Sequence, residues 1–256
     1  MGVTMRREGA VAIVTIDRPE KKNAVSTEMR SELYRTIENL SEDDSVRAMV
    51  LTGGGSDFCS GMDVSEFGSR TLADRSDRTI KLQRISRAIY RLKKPTVAAV
   101  SGVCMGAGWS YALCCDLIIS ADNARFSAAF NRTGLAPDAG AAWLLARQIG
   151  TMRAKEICYT GRVVAASEAL GLGLVLKTTT PEALMSEAMQ LAQTLAHGPT
   201  LAIASTKRQF ELTTVTSFDA FLEAEFSMVP FMLLTEDHAE GVASFAERRQ
   251  PRFQGR

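Results

Sequence analysis

Histidine is scarce in this chain, with two among 256 residues, His197 and His238. Neither belongs to a paired metal-ligand spacing, so a histidine-built metal centre or a histidine-activated nucleophile has little to draw on. Excess charge of either sign is also missing. Thirty Lys+Arg stand against 29 Asp+Glu, a formal charge of +1, which removes any global electrostatic reason to expect a nucleic acid or an anionic membrane as partner. No apolar run is long enough for a membrane helix. The most apolar region, Val103 to Ile119, is interrupted by Gly106, Gly108, Ser110 and Asp116 and falls short of the roughly 20 residues a span requires. The N-terminus lacks the charged start, apolar stretch and small-residue cleavage site of a secretory signal. Cysteines are few and odd in number, five in all (Cys59, Cys104, Cys114, Cys115 and Cys158). Reduced thiols in a cytoplasmic setting fit that pattern better than a disulfide framework, and their apolar neighbourhoods suit small buried side chains.

What is present describes a soluble globular chain. Hydrophobic residues make up 46% and charged residues 23%, and the length suits one large domain, or one domain with an appendage. Val11 to Ile16 is a β-rich run that stops at Asp17-Arg18-Pro19, where proline cannot supply a ladder hydrogen bond. From Ser26, Met29, Leu33, Ile37 and Leu40 recur at helical spacing behind a Ser/Thr cap. Val46 to Thr52 reads as a strand running into Gly53-Gly54-Gly55, and Asp74 to Leu92 as a charged helix with a solvated face. Thr96 to Val100 is a strand followed by a second glycine-bearing segment, Ser101 to Gly108, and Asp116 to Ser120 is another strand. Strands alternating with helices at this pace predict an α/β fold. Beyond Pro181 the pattern is helical. Gly198-Pro199 divides an α/β core, residues 1–197, from a C-terminal helical region, residues 198–256.

Taken alone, the Ser101-Gly-x-x-x-Gly106-x-Gly108 spacing approaches the glycine fingerprint of short-chain dehydrogenases. Those enzymes also need a Tyr-x-x-x-Lys pair well downstream, and the pair here, Tyr90 and Lys94, lies upstream. The fuller pattern is two glycine loops, each following a strand, and a third loop that carries an acid. Gly53 to Asp63, Ser101 to Gly108 and Phe126 to Asp138 together resemble the crotonase, or enoyl-CoA hydratase/isomerase, superfamily. The resemblance covers essentially the whole chain, from Asp17-Arg-Pro-Glu-Lys-Lys-Asn-Ala24 through Lys94-Pro-Thr-Val and Cys115-Asp-Leu-Ile to Glu240-Gly-Val near the end.

That resemblance implies an α/β spiral of ββα units, with the C-terminal helices packing subunits into homotrimers or homohexamers. The apolar stretch Phe218 to Leu234, with Phe221, Phe226, Met228, Phe231 and Met232, also calls for a partner surface. It further implies an acyl-CoA thioester substrate, with coenzyme A as part of the substrate and no separate cofactor or metal. The backbone N–H groups of Met62 and Ala107 would hold the enolate oxygen. Contacts to CoA would come from Lys22 and Ala24 in the early loop, from Ser60 and Asp63 at the first glycine loop, and from Phe245 and Arg248 of a neighbouring subunit. Phe67, Ser110, Phe130 and Trp143 would shape the acyl pocket.

One departure from the family matters. Hydratases carry two glutamates where this chain has Ser110 and Phe130, and a hydroxyl and a phenyl ring cannot act as a carboxylate pair. Asp138 occupies the position of a catalytic aspartate in dienoyl-CoA isomerases and in the ring-epoxide isomerase of phenylacetyl-CoA breakdown. The expected activity is therefore acyl-CoA isomerisation with Asp138 as the proton shuttle. The alternatives are a hydratase with a replacement acid and a non-catalytic acyl-CoA binder. Asp138 as a mere cap of the helix near Ala141 is the structural alternative.

Overall fold

The computed structural model describes residues 2–68 and 71–256. Its main sheet starts with β1 (Gly2–Glu8), which pairs antiparallel with β2 (Val11–Asp17). The sequence pattern did not single out β1, because Met5 to Glu8 form a polar, exposed edge with no apolar alternation. Next to β2 lie β3 (Ala48–Gly53) and β4 (Thr96–Val100), both parallel to it. A short strand, β5 (Val103–Met105), leaves the sheet before β6 (Leu117–Ala121) returns to it beside β4. β5 pairs instead with β7 (Arg125–Ser127), and β7 with β8 (Val164–Ala165), as a small second sheet. The far edge of the main sheet is β9 (Lys177–Thr179), parallel to β6.

Helices cover both faces, as the βαβ reading requires. α1 (Thr27–Glu42) is capped by Ser26, whose hydroxyl accepts from the Met29 N–H. α2 (Leu72–Arg91) opens with a reciprocal Thr71/Asp74 capping box. Then come α3 (Ala107–Cys114), α4 (Ala141–Ile149), α5 (Thr151–Thr160), α6 (Ala166–Gly171) and α7 (Leu184–Ala196). Strand alternation sorts the core. Ala12, Val14, Met49, Leu51, Ala98 and Val100 face α1, α2 and α3, whereas Val11, Ile13, Ala48, Val50, Val97 and Ala99 face α7.

From Thr200 the chain is helical, in α8 (Thr200–Leu212), α9 (Phe218–Met232) and α10 (Glu236–Glu247). Lys207 of α8 bridges to Asp116 at 3.0 Å, and Asp116 also accepts from the Thr96 N–H at the start of β4. Arg47 donates to the carbonyls of Gly198 and Phe253. These polar ties join the C-terminal helices to the sheet, while Phe218, Phe226, Phe231 and Leu234 remain exposed. No helix among the described residues is long and apolar enough to cross a membrane.

Candidate active site

β2, β3 and β4 are parallel, so the loops that follow them meet at one edge of the sheet, where ligands of α/β proteins characteristically bind. Buried Asn23 ties the first two loops together. Its side-chain oxygen accepts from the Arg18 N–H at 2.8 Å, and its amide donates to the carbonyls of Gly54 at 2.8 Å and Asp57 at 2.5 Å. Asp57 in turn accepts from the Val103 N–H at 2.7 Å, which joins the loop after β3 to the loop after β4. Sequence reasoning missed both residues as loop ties. The available signal was an asparagine, tolerant of the left-handed backbone, in the turn that follows Asp17-Arg18-Pro19.

The joined loops aim two backbone donors at one cavity of about 240 Å³, lined by Gly61, Met62, Gly106 and Ala107 among others. The Val25 N–H donates to the Gly61 carbonyl and Val25 accepts from the Asp63 N–H, so the ladder pattern turns the Met62 N–H the other way. Ala107 is the first residue of α3, and its N–H has no acceptor within the helix. The positive end of the helix dipole lies there too. Gly61, at φ 102°, permits the approach: a Cβ on it would stand 3.0 Å from the Met105 carbonyl oxygen and 3.5 Å from the Ala107 nitrogen. Gly108 lets α3 press on the first loop, since a Cβ there would overlap the Cys59 carbonyl oxygen.

Behind Met62 the chain is pinned by ion pairs. Asp63 is 6% exposed and meets Arg18 at 2.7 Å. Hydrogen bonds from the Ser65 hydroxyl and from Arg18 hold its carboxyl down at about 2. That carboxylate is occupied in fastening the loop. Arg30, 3% exposed, lies 3.6 Å from the Met62 sulfur and pairs with Glu66 at 3.4 Å.

The third loop supplies the acid. Asp138 lines the same cavity, and it is the one carboxylate among the described lining residues. Its Oδ1 is buried without a hydrogen-bond partner among the described residues. Burial pushes its pKa above the ordinary aspartate value, and the positive charge of Arg78 draws it partly back. The next residue, Ala139, is 3% exposed at φ 51°, a left-handed conformation that a non-glycine residue adopts at a cost. Gly140 is the N-cap of α4 and no side chain caps that helix end, so the Asp138 carboxylate does not serve it. Its backbone carbonyl is the part that is bonded, accepting from the Ala141 N–H and from the Ser110 hydroxyl, each at 3.1 Å.

Of the residues expected to shape the acyl pocket, Phe67 and Phe130 lie on the cavity wall. Ser110 does not. It is wholly buried behind the wall, bridging the Gly106 and Asp138 carbonyls, because the first turns of α3 are sealed under the third loop. Trp143 does not either: it stands edge-on to Tyr90 at 5.9 Å and lines a separate cavity with Leu113 and Phe210. Residue 143 is on the side of α4 that turns toward α8, away from Asp138.

Among the residues expected at CoA, Ser60 lines the cavity and its N–H donates to the Lys22 carbonyl at 2.9 Å, so Lys22 and Ala24 border the same loop edge. The Lys22 side chain is exposed, and the Ala24 carbonyl accepts from Arg18. Phe245, 86% exposed on α10, and Arg248, its C-cap, are not brought to this cavity within one chain; Phe245 lines another, with Pro199 and Phe253. Two arginines on the wall, Arg78 and Arg132, were not foreseen. Cys59 offers no nucleophile, since burial raises its thiol to about 12.

Comparison with known proteins adds an independent measure. The sequence profile described as enoyl-CoA hydratase/isomerase matches residues 6–256. The chain is 32% identical to the 1,2-epoxyphenylacetyl-CoA isomerase of Escherichia coli, covering 97% of both chains. It is 31% identical to the short-chain-enoyl-CoA hydratase of Clostridium acetobutylicum, covering 97% of this chain and 95% of the other. A solved structure from Streptomyces coelicolor A3(2) superposes with a TM-score of 0.96 at 36% identity, covering 100% of this chain and 95% of that one.

Proposed function

The chain belongs to the enoyl-CoA hydratase/isomerase family, and from that premise we propose that it is an acyl-CoA isomerase with Asp138 as its single proton shuttle. The observation that carries the reading is the wall of the cavity. Two backbone N–H donors, Met62 and Ala107, share it with one carboxylate, and the hydratase glutamate positions hold a sealed serine and a phenyl ring.

In this mechanism the thioester oxygen accepts from the Met62 and Ala107 N–H groups. The Asp138 carboxylate removes a proton from the carbon beside the thioester, and the C–H electron pair moves through the carbonyl carbon onto that oxygen. Preorganised donors of this kind are worth roughly 3 to 4 kcal/mol each at the transition state. The same carboxyl, now protonated, returns the proton to the far carbon of the allylic system as the electrons flow back. One acid suffices because the proton leaves and returns in succession. Adding water would need a second group to orient the nucleophile, and Ser110 faces backbone carbonyls instead.

Coenzyme A is bound as part of the substrate, along the edge formed by Lys22, Ala24 and Ser60, with Asp63 fastening that edge through Arg18. Phe245 and Arg248 reach the nucleotide end from a neighbouring subunit. The assembly is a trimer or hexamer that covers the exposed aromatic side chains of α9, and sedimentation at micromolar concentration checks it: a stable monomer overturns this part of the reading.

The reaction is tested by mass spectrometry of products from enoyl-, dienoyl- and aryl-CoA esters in heavy-oxygen water. Isomerisation leaves the label out, whereas hydration incorporates it. Efficient hydration by the wild type, undiminished in Asp138→Asn, overturns the isomerase reading, and absence of turnover on every ester leaves a binder.

A further inference from the structure

α2 turns a regular stripe inward. Leu82, Ile85 and Ile89 are its buried apolar residues, at intervals of three and four. One interval of four earlier on the same stripe stands Arg78, where another aliphatic side chain would continue the pattern. From Leu72 to Ile80 every other residue is exposed, and Arg78 alone is partly buried. Its guanidinium lies over the ring of Phe67, 3.9 Å from the centroid, and both residues line the cavity that holds Asp138. Arg132 lines that cavity as well, its guanidinium anchored on the Gly161 carbonyl at 2.9 Å. Two guanidiniums and one carboxylate therefore line the wall.

A hydrocarbon acyl chain offers a guanidinium no charge-assisted hydrogen bond, whereas a carboxylate does. The cavity, about 240 Å³, is on the order of eight water volumes and suits a short acyl group. Resting on the reading of the cavity as the acyl site, we propose that the preferred substrate is the CoA monothioester of a short dicarboxylic acid. Its free carboxylate pairs with Arg78, and Arg132 adds a second positive charge. Arg78 is then the specificity-determining residue, whereas the thioester end is held by backbone.

The test uses unreactive saturated esters, so that its outcome does not depend on Asp138 or on which reaction the enzyme performs. Affinities of hexanedioyl-CoA, hexanoyl-CoA and phenylacetyl-CoA are measured calorimetrically for the wild type, Arg78→Met and Arg78→Lys. The expected result is that hexanedioyl-CoA binds the wild type on the order of 10- to 100-fold more tightly than hexanoyl-CoA, the range of a charge-assisted hydrogen bond. Arg78→Met should erase that preference while hexanoyl-CoA affinity stays within about twofold, and Arg78→Lys should retain part of it. Unchanged hexanoyl-CoA affinity also certifies that the variants are folded. Equal binding of the two aliphatic esters by the wild type, tightest binding of phenylacetyl-CoA, or a preference that survives Arg78→Met each overturns the proposal. If none of the three esters binds, the reading of the cavity as the acyl site fails with it. If the preference holds while products carry heavy oxygen, only the isomerase reading fails.

Discussion

The side of the cavity proposed to hold the oxyanion is made of backbone and tied at many points: Asn23 to Gly54 and Asp57, Asp57 to Val103, Arg18 to Asp63, and Gly108 against Cys59. The acid side depends on one side chain, Asp138, whose Oδ1 has no partner among the described residues and whose carbonyl rests on Ser110 and Ala141. The first side is finished before substrate arrives. The second keeps an unspent acceptor and a strained neighbour, Ala139, which suits the proposed role of Asp138 as proton shuttle.

The largest effect should follow from breaking the acid side alone. Asp138→Asn keeps the shape but cannot take the proton, and should lower isomerase turnover by roughly 100- to 10,000-fold while acyl-CoA affinity stays within a fewfold. Steady-state rates and calorimetric binding on the same preparation check this. The wild-type rate should fall as pH drops through the raised pKa of Asp138, above the ordinary value of about 4, because the base must be ionised. Removing the opposing charge with Arg78→Met should move that limb to higher pH. Stability moves in the opposite sense. The folded state holds the Asp138 proton to higher pH than the unfolded chain, so its contribution is present below the unfolded pKa and lost as pH rises through the folded one. Denaturation of Asp138→Asn should lack that decline.

Next comes the oxyanion side. Met62→Pro deletes one donor and should reduce turnover by roughly 100- to 1,000-fold. Substitutions that keep the N–H and a similar side-chain size should be mild, and an unchanged rate in a folded Met62→Pro protein would remove Met62 from the mechanism.

The smallest effect belongs to the contact between the two sides. Ser110→Ala removes the hydroxyl that reaches the Gly106 and Asp138 carbonyls, each of which keeps a backbone N–H donor, and should cost about 0.5 to 1.5 kcal/mol of stability, read by chemical denaturation. Turnover should fall by about tenfold or less with KM little changed. A loss as large as that of Asp138→Asn would make Ser110 a participant in the proton transfer.

Elements set by short-range patterning were legible before the fold was known. Thr96 to Val100 is a strand within those bounds, and the helix expected from Ser26 begins at Thr27 with Ser26 as its cap. The strand read as Val46 to Thr52 runs from Ala48 to Gly53, a shift of the size that terminal hydrogen bonds ordinarily produce. β1 escaped because an exposed edge strand needs no alternation. In the site, Met62, Ala107 and Asp138 were expected together from the family resemblance, and all three line one cavity. Ser110, expected at the pocket because it stands at a hydratase glutamate position, and Trp143, expected to shape the acyl end, both face elsewhere.

By itself, the order of amino acids determined the strands, the helix starts and the glycine-bearing turns between them. Glycine freedom, proline stops and helix caps act within a few residues, and such information survives without the fold. Tertiary structure decided the direction of every side chain that depends on a distant neighbour. It put Arg78 on the cavity wall rather than in solvent, closed Ser110 under the loop that carries Asp138, turned Trp143 toward α8 and left Asp138 Oδ1 without a hydrogen-bond partner among the described residues. Those directions come from packing between segments tens of residues apart, and no local pattern encodes which face of a helix another segment will cover.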